Sequence, residues 1–441
     1  MTSTTTTTTA ATTQYYRFKP WNIGRFLIWS LFAIVLIVSP MLFKSSLALT
    51  MLSQMGYLII ICLSYNILLG QGGMLSFGHA VYVGLGSFLA IHAMNMGGKG
   101  GLQIPLVLIP LVGGLAGMFF AVIFGFVTTK KSGTTFAMIT MGIGELVASM
   151  ALMFPSFFGG EGGITTDRVY GPTFFGFNFG PQIQVYYLIA AYCFVCTALM
   201  YAFTGTPLGR MLNAVRDNPE RVEFIGYNTQ RVRYFAFIIA GFFAGIGGGL
   251  ASINFEIVNA ADSLSAIRSG GYLLFTFLGG AVFFFGPIIG AVLLVFASIL
   301  LSELSKAWQL YFGLVFVFMV MFAPGGIASL VMMNLRVAKF GKFNRFWLLY
   351  IALAVALVPV VVGAAALIEM IYHIQLNAAL GPNLNFFGMA LDTSGAVSWL
   401  GAAAILAVGL AALEVARRRF VRVWGQAQEE IEAEIKRREA A

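Results

Sequence analysis

The chain has 441 residues, 59% of them hydrophobic and only 10% charged, with a mean hydropathy of +0.87 and a formal net charge of +9. Soluble domains carry about 25% charged residues, so the composition excludes a soluble protein and points to a polytopic membrane protein. In a soluble chain the positive balance would fit nucleic acid; here an uneven distribution of basic residues between loops accounts for it, and no nucleic-acid partner is expected.

Residues 1–20 form a threonine-rich, low-complexity tail that is expected to be disordered. Arg17, Lys19 and Arg25 then precede a full-length apolar segment without a small-residue cleavage site, which argues against a signal peptide. A spanning helix needs about 20 apolar residues. The candidate segments are 26–43, 46–69, 74–96, 103–128, 135–154, 184–204, 234–255, 271–285, 286–302, 308–331, 346–370 and 396–415. The segment 271–285 is short for a span and, with 286–302, reads as a hairpin or a pair of broken helices. The expected fold is therefore an all-α polytopic membrane protein of about 12 transmembrane or broken helices, with re-entrant or interrupted segments. If the N-terminus is cytoplasmic and the chain crosses at every segment, 21 of the 26 Lys and Arg residues fall on the cytoplasmic side. Only Lys44, Lys99, Arg168, Arg268 and Lys306 fall opposite, a split that predicts both termini inside.

Two apolar stretches are interrupted by glycine, NILLGQGGMLSFGHA (66–80) and LGGAVFFFGPIIGA (278–291). Each would make a poor continuous helix. Irregular backbone at membrane depth is tolerated where it is buried in protein or lines a cavity, and such pairs point to a transport path; close packing by small residues is the other explanation. The first stretch carries Asn66, Gln71, Ser76, Phe77, Gly78 and His79, which with Glu145 are the candidate path residues. Glu145 lies well inside a span and is expected to face the bundle interior, partnered or protonated. His79, His92 and His373 stand apart, and Cys193 and Cys196 form a CxxC with no second pair; Cys62, the third cysteine, is also in an apolar segment. No metal site is expected.

Residues 155–183 form a loop rich in glycine and aromatics that could serve as a lid, a docking surface or a bridge. Residues 204–233 form the longest water-soluble run of the main body, with Arg210, Arg216, Arg221, Arg231 and Arg233 and the acids Asp217, Glu220 and Glu223. Thr206 followed by Pro207, and Asn218 followed by Pro219, predict two short capped helices at the cytoplasmic surface, the second ended by Gly226. Residues 336–415 add two spans, and 416–441 form a charged cytoplasmic tail. Its basic run ARRRFVRVW is expected on anionic headgroups, and EEIEAEIKRR reads as a solvated or docking helix.

The sequence has no GxxxxGK[ST], HExxH or GxSxG motif and no paired carboxylates in one span. No catalytic centre and no cofactor are expected, so uphill work would draw on an ion gradient or a separate ATPase. Ion-driven carriers place several ionisable groups in the membrane; the single Glu145 favours the separate ATPase. A stand-alone carrier or channel is the alternative. An enzyme acting on lipid-linked substrates would need a polar cluster at a membrane edge, which the sequence does not offer.

Four blocks resemble the permease subunits of branched-chain amino-acid ABC importers: 66–88, 134–147, 206–250 and 277–294, followed by FAPGGIASLV at 322–331. The likeness runs over residues 46–333, which places a permease domain at about 21–335 and leaves 336–415 as an extra two-helix extension. It implies that 206–228, within the loop 204–233, is the segment that docks into an ATPase, with Ala214, Arg216, Asp217, Glu220 and Gly226 at matching positions and Gly209 and Arg210 as further candidate coupling residues. Asn213, Val222 and Glu223 depart from the family's commoner residues. The resemblance further implies a bacterial inner-membrane location, two ATPase subunits, a second related permease and a periplasmic solute-binding protein. The implied solutes are leucine, isoleucine and valine, or urea and short amides, chosen largely by the binding protein.

Overall fold

The computed structural model describes residues 23–98, 101, 103–170, 172, 176–376, 381–386 and 389–440. The threonine-rich tail lies outside the described residues. The chain is almost wholly helical, as its composition predicts. Numbering only helices of six residues or more, α1 is Ile23–Leu42, α2 Ser46–Asn66, α3 His79–Gly98, α4 Ile109–Thr128, α5 Gly133–Met153 and α6 Gln182–Gly205. The short pair α7 (Pro207–Asp217) and α8 (Pro219–Phe224) leads into α9, Thr229–Phe255. Then come α10 (Ala266–Gly279), α11 (Gly286–Phe296), α12 (Trp308–Phe322), α13 (Gly326–Lys339), α14 (Trp347–Leu376) and α15 (Ala396–Ala440).

The core is built by α2, α3, α4, α6 and α9 around residues such as Ile60, Tyr65, Phe88, Ile189 and Phe237, all at most 1% exposed. These helices are apolar on every side, so lipid and core are distinguished by size rather than polarity. Small residues mark the interior face and let backbones touch. A Cβ at Gly245 of α9 would lie 2.2 Å from the Gly113 carbonyl of α4. The loop 155–181 packs down on α3 where it is described. Phe158 meets Phe88 edge-on at 4.9 Å, the Asn95 amide donates to the Thr165 carbonyl at 3.0 Å, and Ile164–Thr165 pairs with Ile257–Val258.

The expectation of twelve spans needs correcting. Among the described residues eight helices are long and apolar enough to cross a membrane, and a ninth arises if α12 and α13, bent by 48°, count as one span. Residues 26–42 and 286–301 form shorter apolar helices. The segment 271–285 is not a span. Its helix α10 has 14 residues, a rise of about 21 Å against a hydrocarbon core of about 30 Å, and it stops at Gly280, where φ is +115°. There α10 turns back into α11, so that Gly290 packs on the Phe275 carbonyl. Such a hairpin leaves on the side it entered, and the alternation of the flanking loops is kept.

Helices α14 and α15 pair antiparallel, Gly363 against Leu406 and Gly409 against Val360. At one end Val337, Phe346, Ala427 and Ile431 form a small buried cluster, beside which Lys342 and Arg345 pair with Glu430. At the other, Asn383–Phe386 and Met389–Asp392 form a two-stranded ribbon. Glu369 of α14 accepts hydrogen bonds from Ser305 and from the Tyr311 hydroxyl, and so fastens the hairpin to the main body.

Candidate translocation and coupling site

The first glycine-broken stretch is a true interruption. After Asn66 the helix widens into a π-helical turn, Ile67–Gln71, and the chain leaves it at Gly73 with φ +62°. Residues 72–78 are non-helical until α3 starts at His79. Asn66, Gln71, Ser76, Gly78 and His79 are buried, and Phe77 is half-buried. Neighbouring helices take up the freed backbone groups, as irregular backbone at this depth demands. The Phe77 N–H donates to Thr140 Oγ1 of α5 at 3.1 Å, the Ala80 N–H to Ser269 Oγ of α10 at 2.9 Å, and the Tyr65 hydroxyl to the Ser76 carbonyl at 2.8 Å. His79 Nε2 lies 2.9 Å from Ser64 Oγ. Its Nδ1 and the Ser76 Oγ, both buried, have no protein partner. His92 and His373 instead meet the carbonyls of Phe157 and Gly381. Among the described residues no group of three or more His, Cys, Asp or Glu could hold a metal ion.

The second broken stretch meets the first. Asn66 Nδ2 donates to the Ala281 carbonyl at 2.6 Å, a contact between residues 215 apart in sequence. A Cβ at Gly70 would lie 2.1 Å from the same oxygen. A third break, Ala323–Gly326 between α12 and α13, joins them: a Cβ at Gly326 would lie 2.5 Å from the Gly280 Cα. Three interrupted segments therefore converge, although the sequence drew attention to only two. The signal for the third is the Pro324–Gly325–Gly326 run, which lies inside the candidate span 308–331.

The loop 204–233 folds as its capping residues predict. Thr206 Oγ1 accepts from the Gly209 N–H, Asn218 Oδ1 from the Arg221 N–H, and Asn228 Oδ1 from the Arg231 N–H. Gly226 ends the second helix with φ +89°. Leu212, Val215 and Val222 are buried, Ala214 packs against the same core, and Arg210, Asp217 and Glu220 face solvent. Gly209 lets α7 fold back on α6, since a Cβ there would lie 2.2 Å from the Phe203 carbonyl. Val222 and Glu223, the departures from the family pattern, are both used. Val222 is 3% exposed, and Glu223 Oε1 accepts from the Thr229 hydroxyl at 2.7 Å. Glu223, Lys130, Gln230 and Arg233 line a surface hollow of about 560 Å³.

Arg216 links this loop to the breaks. Its guanidinium donates to the Gly70 carbonyl at the end of the π-helical turn, and its aliphatic part covers Gly73. A cation at a helix C-terminus caps an orphan carbonyl and complements the helix dipole. Its pairing with Asp217 at 2.9 Å is exposed and worth little. Sequence reasoning missed the apolar tip beside it: Phe224, Ile225 and Tyr227 are 88%, 66% and 52% exposed. Three large apolar side chains in a row of polar ones were the available signal.

Over residues 47–324 the chain matches the family described as branched-chain amino acid transport system, permease component. The chain belongs to this family. The permease is 26% identical over 301 residues to the high-affinity branched-chain amino acid transport system permease protein LivM of Salmonella typhimurium, covering 63% of this chain and 69% of that one. It is 25% identical over 299 residues to LivM of Escherichia coli, with the same coverage. It is also 23% identical over 317 residues to the ribose import permease protein RbsC of Haemophilus influenzae, covering 66% and 90%. No solved structure matches. The permease is thus a multi-pass bacterial inner-membrane protein and a transport component, not an enzyme. Loop 204–233 and the first two breaks fall inside the matched range; α14 and α15 fall outside it.

The permease departs from expectation at Glu145. It does not face the bundle interior. Helix α5 turns Phe136, Ala137, Thr140, Gly144, Val147 and Ala151 inward, and Glu145 falls on an exposed side of the helix with Met138 and Met141. The inner face is chosen by small side chains that admit the Phe77–Gly78 backbone, and residue 145 lies about 100° round the helix from Gly144. A carboxylate at mid-bilayer costs about 2.5–3.5 kcal/mol on insertion scales, a cost that a protein partner or water against this face would lower.

Proposed function

We propose that the permease forms one half of the membrane path of an ABC importer for branched-chain amino acids. ATP hydrolysis takes place on two separate ATPase subunits. Loop 204–233 faces the cytoplasm, as do both termini, and its apolar tip and exposed charges dock into an ATPase. A second, related permease covers the exposed face of α5, and a periplasmic binding protein delivers the solute to the seam between the two. The observation that carries this reading is the Arg216 contact with Gly70. It joins an exposed surface element to the place where three broken helical segments meet. Movement of a docked ATPase would pull on Gly70, then through Asn66 on Ala281. Helices α14 and α15 form a separate two-helix extension of this domain, and the helix beyond residue 415 lies against the cytoplasmic surface.

Purification of the tagged chain from native membranes tests the assembly. Two ATP-hydrolysing subunits and one second permease of the same family are expected for each copy of it. Recovery of the chain alone, together with solute uptake into liposomes that contain no ATPase, would establish a stand-alone carrier instead.

A further inference from the structure

We infer that Glu145 reads the cationic end of the solute in the membrane path, so that this permease passes molecules bearing a protonated amine and holds back neutral polyols and anions. The inference rests on the reading above that the exposed face of α5 lines the seam between two permease subunits.

Glu145 lies 12 residues into a 21-residue helix, about 18 Å from its start, which is near mid-membrane. Among the described residues it has no hydrogen-bond or ion-pair partner. A carboxylate held there in a low-dielectric seam attracts a cation far more strongly than it would in water. A transit site must also release what it binds, and one carboxylate with no second anion meets that requirement. The rest of the stripe suits the other end of the same molecule. Met138 and Met141, about 20° and about 40° round the helix from Glu145, are exposed on this face. Unbranched, polarizable thioethers repack around aliphatic groups of differing shape. Beside Glu145, a Cβ at Gly142 would meet no atom within 4 Å, leaving room for a ligand. One charge and two adaptable apolar side chains together fit an amine with a short aliphatic tail. The position is also linked to the breaks: a Cβ at the adjacent Gly144 would sit 3.6 Å from the Gly78 Cα. A rearrangement of residues 72–78 would therefore move α5 and shift Glu145 between access from either side.

The test uses the complete transporter in proteoliposomes, with its binding protein and L-leucine as probe. Cys62, Cys193 and Cys196 are buried, so a cysteine at Met141 reports its own surroundings. M141C is expected to react at least 10-fold faster with a cationic methanethiosulfonate than with an anionic one, and E145Q in the same chain is expected to erase that preference. E145Q alone is expected to lower the kcat for leucine uptake at least 10-fold with little change in KM, and E145D to restore part of it. If M141C is unreactive in every nucleotide state, α5 does not line the path and the underlying reading fails. If M141C reacts but shows no charge preference, or E145Q takes up leucine at the wild-type rate, the path stands and the amine inference is overturned. Loss of the second permease from E145Q, with E145D still assembled, would assign the carboxylate to an ion pair between subunits and would likewise overturn it.

Discussion

Gly70→Ala is expected to abolish leucine uptake by the assembled transporter while the protein still inserts and purifies as a single species. The added methyl would stand 2.1 Å from the Ala281 carbonyl and 2.4 Å from Asn66 Nδ2. Neither neighbour can move alone, because Asn66 holds that same carbonyl. The two broken stretches would have to part by about 1 Å, and forcing side-chain atoms into a packed site costs about 1–3 kcal/mol. That strain falls on the contact between the first two breaks and spares the Gly245 packing of the core. Gly313→Ala is the control: its Cβ would meet no atom within 4 Å, and alanine is the better helix former by about 1 kcal/mol. Uptake into proteoliposomes and the elution profile in detergent measure both. Wild-type uptake by Gly70→Ala would show that the two breaks need not touch.

Arg216→Ala should uncouple the machine rather than dismantle it. A hydrogen bond from a charged donor is worth about 1.5–3 kcal/mol, and here it caps a helix end that has just left regular geometry. Without it the Gly70 carbonyl loses its partner and the loop loses its hold on the broken segment. The expected result is an assembled complex whose ATP hydrolysis no longer rises with loaded binding protein, and whose uptake falls about 10- to 100-fold, in keeping with a loss of that size. Arg216→Lys should recover part of the activity, since it keeps the charge but not the fork of donors. Asp217→Asn should stay within about twofold of wild type, because its ion pair is exposed. Equal damage from Asp217→Asn would mean that the local pair, not the reach to Gly70, carries the signal.

Much of loop 204–233 was legible in the sequence because its determinants are local. Thr206, Asn218 and Gly226 cap or end helices through atoms a few residues away, and Pro207 and Pro219 fix the first turns. The breaks at 72–78 and 280–285 were legible from glycine for the same reason. Their meeting was not, since Asn66 and Ala281 are brought together only by the packing of α2 against α10 and α11. The span count failed because a hydropathy window weighs apolar residues and is blind to a reversal at Gly280. The side taken by Glu145 was hidden because α5 is apolar all round. What selects its inner face is the fit of Ala137, Thr140 and Gly144 to another segment's backbone, and a sequence pattern records residue size only weakly. The exposed Phe224–Ile225 tip passed unnoticed in a chain where apolar residues are the rule.

The claim on which everything else depends is that loop 204–233 is where an ATPase takes hold. A photoreactive side chain at position 224, the most exposed point of the tip, tests it in native membranes. The account predicts a covalent adduct with an ATP-hydrolysing subunit whose yield changes when a non-hydrolysable ATP analogue is added. Adducts with lipid alone, from a chain that still supports uptake, would contradict it.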